Sequence, residues 1–399
     1  MTSIDAAQTR STSTPAHTQD FETGRVITIS AAHGVHDTYT AFLPSLLPVF
    51  ISEFLLSKTE AGLLTVFLQA PSLLQPFIGH LADRVSLRYL VILSPAVTAA
   101  LMSLLGVAPG YGALALLLIG AGISSASLHS VGPVMAGRLS GLSLGRGMGF
   151  WMVGGELGRT LGPLVIVSAL QFLTLHGIPL LMVAGFLMSA ILFVLLRDVT
   201  GRPATVAEAL PWRRALEGIG TLIVPLIGII VVRSFMVSAL TTYLPTFLSE
   251  EGAGLFLAGA SLSVLEGAGV VGALVGGSLS DRLGRRAVLF TSMLSTPLLM
   301  VAFLFASGWL QIPLLLLMGF FALSVGPVLM ALVQESSPES RALANGVYMA
   351  LSFLIRSGAI VLVGGIGDLF DLRTAFLVSA VVSLFGLPLI LLLPSHGAD

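Results

Sequence analysis

Twelve stretches of about twenty mostly apolar residues follow one another along the chain, with little polar sequence between them. A helix rises about 1.5 Å per residue, so each is long enough to cross a hydrocarbon core of ~30 Å. In lipid the backbone must satisfy its own hydrogen bonds, and a helix does so within one segment. The segments run over residues 26–50, 60–82, 89–108, 112–137, 147–172 and 177–196, then 218–247, 256–280, 286–306, 311–334, 343–366 and 372–394. Only 10% of the residues are charged, against roughly a quarter in soluble domains. An all-α membrane protein is therefore expected. The 44 glycines suit helices packed through small side chains. There is no cysteine, which excludes disulfides and thiolate metal sites. The net charge of −1 implies no particular partner, and no nucleic-acid partner is expected.

Polar sequence divides the chain into four parts. Residues 1–25, rich in Ser and Thr and lacking the apolar run of a secretory signal, read as a disordered cytoplasmic tail. Residues 26–197 form a first six-helix bundle, 198–217 a cytoplasmic linker and 218–396 a second bundle. Of the 19 Lys and Arg residues, fourteen fall in the tail, in the linker or after segments 2, 4, 8 and 10. Only Lys58 and Arg373 fall in the opposite loops. Basic residues collect on the cytoplasmic side, so both termini belong there, in a multi-pass protein of the cytoplasmic (inner) membrane. A monomer is expected.

The two bundles echo each other. GHLADRVSLR (Gly79 to Arg88) returns as GSLSDRLGRR (Gly277 to Arg286), TAFLPSLL as TTYLPTFL, and SVGPV unchanged. The run ending at Arg159 lines up with the run ending at Arg356. The offsets stay between 194 and 201 residues and every copy keeps its direction. A parallel repeat about an axis along the membrane normal follows, as in one class of transporters.

On these residues the chain resembles the major facilitator superfamily over nearly its whole length after the tail. Gly277, Leu279, Asp281, Arg282, Gly284, Arg285 and Arg286 match the family's cytoplasmic-loop motif. The first copy keeps Gly79, Leu81, Asp83, Arg84 and Arg88, with Ser86 and Leu87 departing from it. Gly149, Gly158, Gly162 and Pro163 fit most of the pattern of the family's proton antiporters, with Ile166 and Val167 replacing its final glycines. Within the family the chain is most similar to fosmidomycin-resistance exporters, through His33, Asp37, Leu74-Gln75-Pro76, Ser127 to His129, Gly154-Gly155 and Leu161-Gly162-Pro163. The resemblance implies twelve transmembrane helices in two six-helix halves, a small-molecule substrate, and a gating role for the two loop motifs. The Asp of each motif would meet a helix N-terminus and nearby arginines, latching the cytoplasmic side; the plainer alternative is a basic loop that only sets topology.

Nine ionisable residues lie well inside the apolar segments: His33, His36, Asp37, His129, Glu156, Arg159, Arg233, Glu266 and Arg356. A charge at the bilayer centre costs roughly 2.5–3.5 kcal/mol even on lenient scales, so such groups face a bundle interior. His33 and Asp37 share a helix face, as do Glu156 and Arg159, and His36 lies off the first of these faces. By helical rise Asp37, Arg159, Arg356 and Arg233 sit about 16–22 Å from the cytoplasmic ends. Arg159 and Arg356 occupy equivalent repeat positions and would face one another across a central cavity. Either they bind an anion with Arg233, His129 and Gln69 beside them, or the three arginines pair with Glu156, Asp37 and Glu266. Asp37, with His33, Glu156 and Glu266, is the candidate proton-coupling set. Pro44, Pro48 and Pro245 can kink the outer ends of segments 1 and 7. Trp151 and the glycines at 154, 155 and 158 read as ordinary helix packing.

The function expected is secondary transport: a proton-coupled antiporter exporting small anionic or amphiphilic compounds by alternating access. Uptake of an organic anion with protons is the alternative within transport. Outside it stand a transport-inactive sensor and an intramembrane metal site using His33, His36, Asp37, His129 and Glu156. No cofactor, no resident metal and no enzymatic activity are expected.

Overall fold

The computed structural model describes residues 21–82, 85–199, 223–336 and 341–393. Most of the tail, nearly all of the linker, and Asp83 and Arg84 of the first loop motif lie outside the described residues. Within them the chain is helical throughout, with ten helical stretches long and apolar enough to cross a membrane.

The first apolar segment is two helices, α1 (Thr23–Thr40) and α2 (Leu43–Phe54). The break falls just before Pro44, which lacks an N–H and whose ring crowds the carbonyl four residues back. The kink expected at the prolines is therefore present, and it interrupts the helix outright. Helix α3 (Lys58–Gln69) starts on a capping box, Ser57 with Glu60, and leads through a 3₁₀ turn at Ala70–Leu74 into α4 (Gln75–Ala82). Next come α5 (Arg88–Ser103), α6 (Tyr111–Leu139), α7 (Leu144–Gly177) and α8 (Met182–Leu196). Gly145–Leu196 is one 52-residue apolar stretch, broken at Thr174, where the backbone turns to φ 59° and ψ 175°. That is two residues past the expected end of segment 5.

The second group starts with α9 (Ile223–Ser238) and passes through a π-helical turn at Ala239–Tyr243 into α10 (Leu244–Glu250), with Pro245 in its first turn. It continues with α11 (Leu255–Leu283), α12 (Arg285–Phe305), α13 (Gln311–Ser336), α14 (Arg341–Leu369), α15 (Leu372–Leu384) and α16 (Gly386–Leu391).

Two apolar clusters form within 21–199 and two within 223–393. Large side chains also point outward, Leu116, Phe172, Val194, Leu274 and Leu362 among them, each more than half exposed. A water-soluble surface would not carry them in such number; lipid covers them without cost. Hydroxyls inside the helices are satisfied locally: Ser30, Thr38, Ser127, Ser234 and Ser379 each donate to the carbonyl four residues back. At the end that carries the start of α1, Arg25 bonds Glu22 at 3.0 Å and Asp198 at 2.7 Å, and holds the Asp198 carboxyl below its ordinary range. The two groups of helices pack through α7 on α11, α3 on α14 and α2 on α10.

Candidate functional site

The site is set by how closely α7 approaches α1. A Cβ built on Gly158 would stand 2.9 Å from Asp37 Cβ and 3.0 Å from Thr38 N, and one on Gly162 2.5 Å from Thr38 O. Gly154 and Gly155 are equally tight, against Ser30 and His33. Two backbones come this close only where one helix presents no side chains. The packing role read for Gly154, Gly155 and Gly158 holds. Gly149 departs from it, with nothing within 4 Å.

This approach buries a cluster of imidazoles and one carboxylate. His33 Nε2 lies 3.3 Å from Asp37 Oδ2, and His129 Nε2, reaching in from α6, 3.7 Å from Asp37 Oδ1. The two Nε2 atoms are 3.1 Å apart. His33 Nδ1 donates to the Trp151 carbonyl at 2.9 Å, and His129 Nδ1 to the Ser125 carbonyl at 2.9 Å. A carbonyl only accepts, so each Nδ1 carries a hydrogen, and the two Nε2 atoms face each other and the Asp37 carboxylate. Together with the carboxylate they form a pocket that calls for a cation between them. The Trp151 ring stacks on His33 at 3.9 Å, which fixes the imidazole plane. Trp151 thus has a specific task beyond ordinary packing. His36, read as off this face, is fully buried with its ring 5.8 Å from that of His129. Neither of its nitrogens makes a regular hydrogen bond, and the Ser94 carbonyl approaches it only loosely.

The arginines form a second cluster. Arg159 is ion-paired with Glu156 one turn away on α7. Arg159 is also in electrostatic reach of Asp37, His129 and Glu266. Glu266, on α11, interacts with Arg159, Arg356 and Glu156. Arg356 donates from Nη2 to Thr241 Oγ1 at 2.8 Å, inside the π-helical turn. Arg159 and Arg356 do approach one another, but Glu266 shares their field, so the two guanidinium groups are not a bare cationic pair. The three-against-three pairing fails at two points. Asp37 binds imidazoles, not arginine, and Arg233 has no acidic partner among the described residues: its Nη2 reaches only the Ala322 carbonyl, at 3.5 Å. The cavity beside Arg233, about 10 Å³, is the size of one water. Gln69, half-buried at the end of α3, makes no hydrogen bond among the described residues.

Of the loop motifs, the second is well defined. Arg285 bonds Asp281 at 2.6 Å and Glu335, at the end of α13, also at 2.6 Å. Gly284 takes φ 89°, a left-handed backbone that turns α11 into α12. Glu335 was not among the expected partners. Arg88 of the first motif lies over the Tyr89 ring, 5.0 Å from its centroid.

At the opposite end the two groups of helices are bonded together. The Asp368 carboxylate, on α14, accepts from Lys58 N at 2.6 Å, Thr59 N at 2.9 Å and Thr59 Oγ1 at 2.6 Å, capping α3. Lys58 Nζ pairs with Glu250 at 3.1 Å. The Tyr243 hydroxyl lies 2.9 Å from the Ile360 carbonyl and 3.1 Å from that of Lys58, so its one hydrogen is shared between them. The sequence reading contained none of these three contacts, although Lys58 stood out as one of two basic residues on its side.

Known proteins are similar to this chain. The Fosmidomycin resistance protein of Escherichia coli K12 is 24% identical over 383 residues, 93% of each chain. The uncharacterized MFS-type transporter YfnC of Bacillus subtilis 168 is 25% identical, over 93% of this chain and 92% of its own. A crystal structure of a bacterial homologue of the human lysosomal transporter Spinster, inward-facing and occupied, superimposes with a TM-score of 0.79 at 15% identity, covering 93% of this chain and 96% of that one. The family model described as Major Facilitator Superfamily matches residues 29–359, with a further match over 266–398. The chain belongs to the Major Facilitator Superfamily, and it is a multi-pass membrane transporter.

Proposed function

We propose that the protein is a proton-coupled antiporter that exports small anionic or amphiphilic compounds by alternating access. Two six-crossing halves supply the frame: α1 with α2 makes one crossing, and the break at Thr174 divides the 52-residue stretch into two, which with the other nine gives twelve. Both termini lie in the cytoplasm, and the Asp368, Glu250 and Tyr243 contacts close the outer end in this conformer.

Charge balance is the observation that carries the reading. Asp37 faces two imidazoles, Glu156 matches Arg159, Glu266 matches Arg356, and Arg233 is left without an acidic partner among the described residues. Arg233 thus carries a charge that no acidic side chain faces among the described residues, and an anionic substrate can answer it. His129 lies within reach of both Asp37 and Arg159, so the occupancy of the anion site alters the field at the proton site. A small phosphonate suits the planar guanidinium fork, and the Fosmidomycin resistance protein is a relative by name.

Proteoliposomes test this with fosmidomycin as the probe. Arg159→Ala and Arg356→Ala are each expected to abolish counterflow while leaving the protein folded in the membrane. Normal flux in both variants overturns the anion site. Uptake coupled to protons in the same direction is the second reading, and it reverses the sign of the gradient that drives accumulation.

A further inference from the structure

We infer that His33, Asp37 and His129 form a binding site for one divalent transition-metal ion of the zinc class. Three donor atoms from two helices, one per residue, lie within 4.8 Å of one another. Their separations are more telling. With metal–ligand bonds of about 2.0–2.2 Å, the corners of a tetrahedron stand about 3.3–3.6 Å apart. Here the two Nε2 atoms are 3.1 Å apart, His33 Nε2 stands 3.3 Å from Asp37 Oδ2, and His129 Nε2 stands 3.7 Å from the other oxygen, Oδ1. The ligand frame is already near the size that a metal requires.

The groups behind the donors fit as well. Metal-bound imidazoles usually donate their other N–H to a carbonyl or carboxylate, which fixes the tautomer and aims the lone pair. Both rings do this, His33 to Trp151 O and His129 to Ser125 O, each at 2.9 Å. The Trp151 stack removes the remaining rotation of His33. Two facing imidazole lone pairs beside a carboxylate repel one another until a cation sits between them.

A proton satisfies that demand, and so does a metal ion. Two imidazoles and one carboxylate favour zinc, cobalt, nickel or copper over magnesium or calcium, which prefer oxygen ligands. His36 supplies an observation independent of the triad: a fully buried imidazole against the His129 ring with no regular hydrogen bond at either nitrogen. It is a further imidazole packed against the cluster, outside the group of three donors. His129 is about a third exposed along its side chain, which leaves a route for an ion into the site.

The test uses Co²⁺ and Zn²⁺ on the purified full chain in detergent, without a histidine tag and after chelator treatment. One equivalent of Co²⁺ should give the visible absorption of tetrahedral nitrogen–oxygen coordination and quench the fluorescence of Trp151. Zn²⁺ should displace it at one equivalent. His129→Ala should weaken binding at least about hundredfold, and Asp37→Asn should act likewise, so that a folding defect in one leaves the other as evidence. His176→Ala, at the far end of α7, should bind as the wild type does. No stoichiometric Co²⁺ or Zn²⁺ binding, or binding unchanged in His129→Ala and Asp37→Asn, overturns the site. The readout is spectroscopic and needs no transport, so its failure leaves the antiport reading standing, and failure of antiport leaves the metal site standing.

Discussion

At the scale of single residues, Asp37 and Arg356 carry the sharpest consequences. Among the described residues, Asp37 alone is a carboxylate set between two imidazoles that point at each other. Asp37→Asn removes the charge and keeps the shape, so accumulation against a gradient should fall at least about hundredfold while the protein keeps its folded size-exclusion profile. Flux assays in proteoliposomes read this directly. Arg356 bonds Thr241 through one arm of a planar fork. Lysine keeps the charge but loses the fork, so Arg356→Lys should raise the substrate KM about tenfold and leave the maximal rate closer to that of the wild type. The chain alone revealed that these groups are ionisable, buried and interior, because lipid tolerates nothing else. It did not reveal who pairs with whom. His36 looked peripheral from its helix face and lies in the cluster, because α6 brings His129 to it from another direction. Trp151 looked like packing, since its backbone carbonyl, the group that orients His33, leaves no trace in sequence.

At the scale of elements, the decisive contact is α1 on α7. Gly158→Ala puts a methyl 2.9 Å from Asp37 Cβ, in a place where neither backbone can yield. The expected cost is about 1–3 kcal/mol, seen as a lower thermal midpoint in detergent. Gly149→Ala is the matched control: with open space around it, the midpoint should not fall. The glycine spacing was visible in sequence, and so were the apolar stretches, ten of which are helical and long enough to cross a membrane among the described residues. In the first segment the kink expected at the prolines is a full break between two helices, because Pro44 lacks the N–H that would continue the ladder. The bonds that close the outer end were missed for another reason. Asp368 and Lys58 are 310 residues apart, and each alone is an ordinary surface residue. Asp368→Ala removes three hydrogen bonds from the start of α3, where a helix cap is worth about 0.5–2 kcal/mol. Opening of that end should become severalfold more frequent. Spin labels on Ser57→Cys and Leu369→Cys report it as a longer mean distance, and because the chain has no cysteine of its own, only those sites are labelled.

At the scale of the whole molecule, two groups of ionisable residues share one electrostatic field. Contacts join His33, Asp37 and His129, and join Glu156 to Arg159, while Arg159, Glu266 and Arg356 act on one another through their charges. That field crosses from the first group of helices to the second where α7 packs on α11. A change of charge at Glu266 or Arg159 is therefore felt in both groups of helices. The most direct test is accumulation of fosmidomycin in proteoliposomes under an imposed pH gradient. With acid inside, protons leaving the vesicle should drive the compound inward above its external concentration, and a protonophore or Asp37→Asn should abolish the effect. Accumulation only with acid outside, or accumulation indifferent to the gradient, would contradict the account.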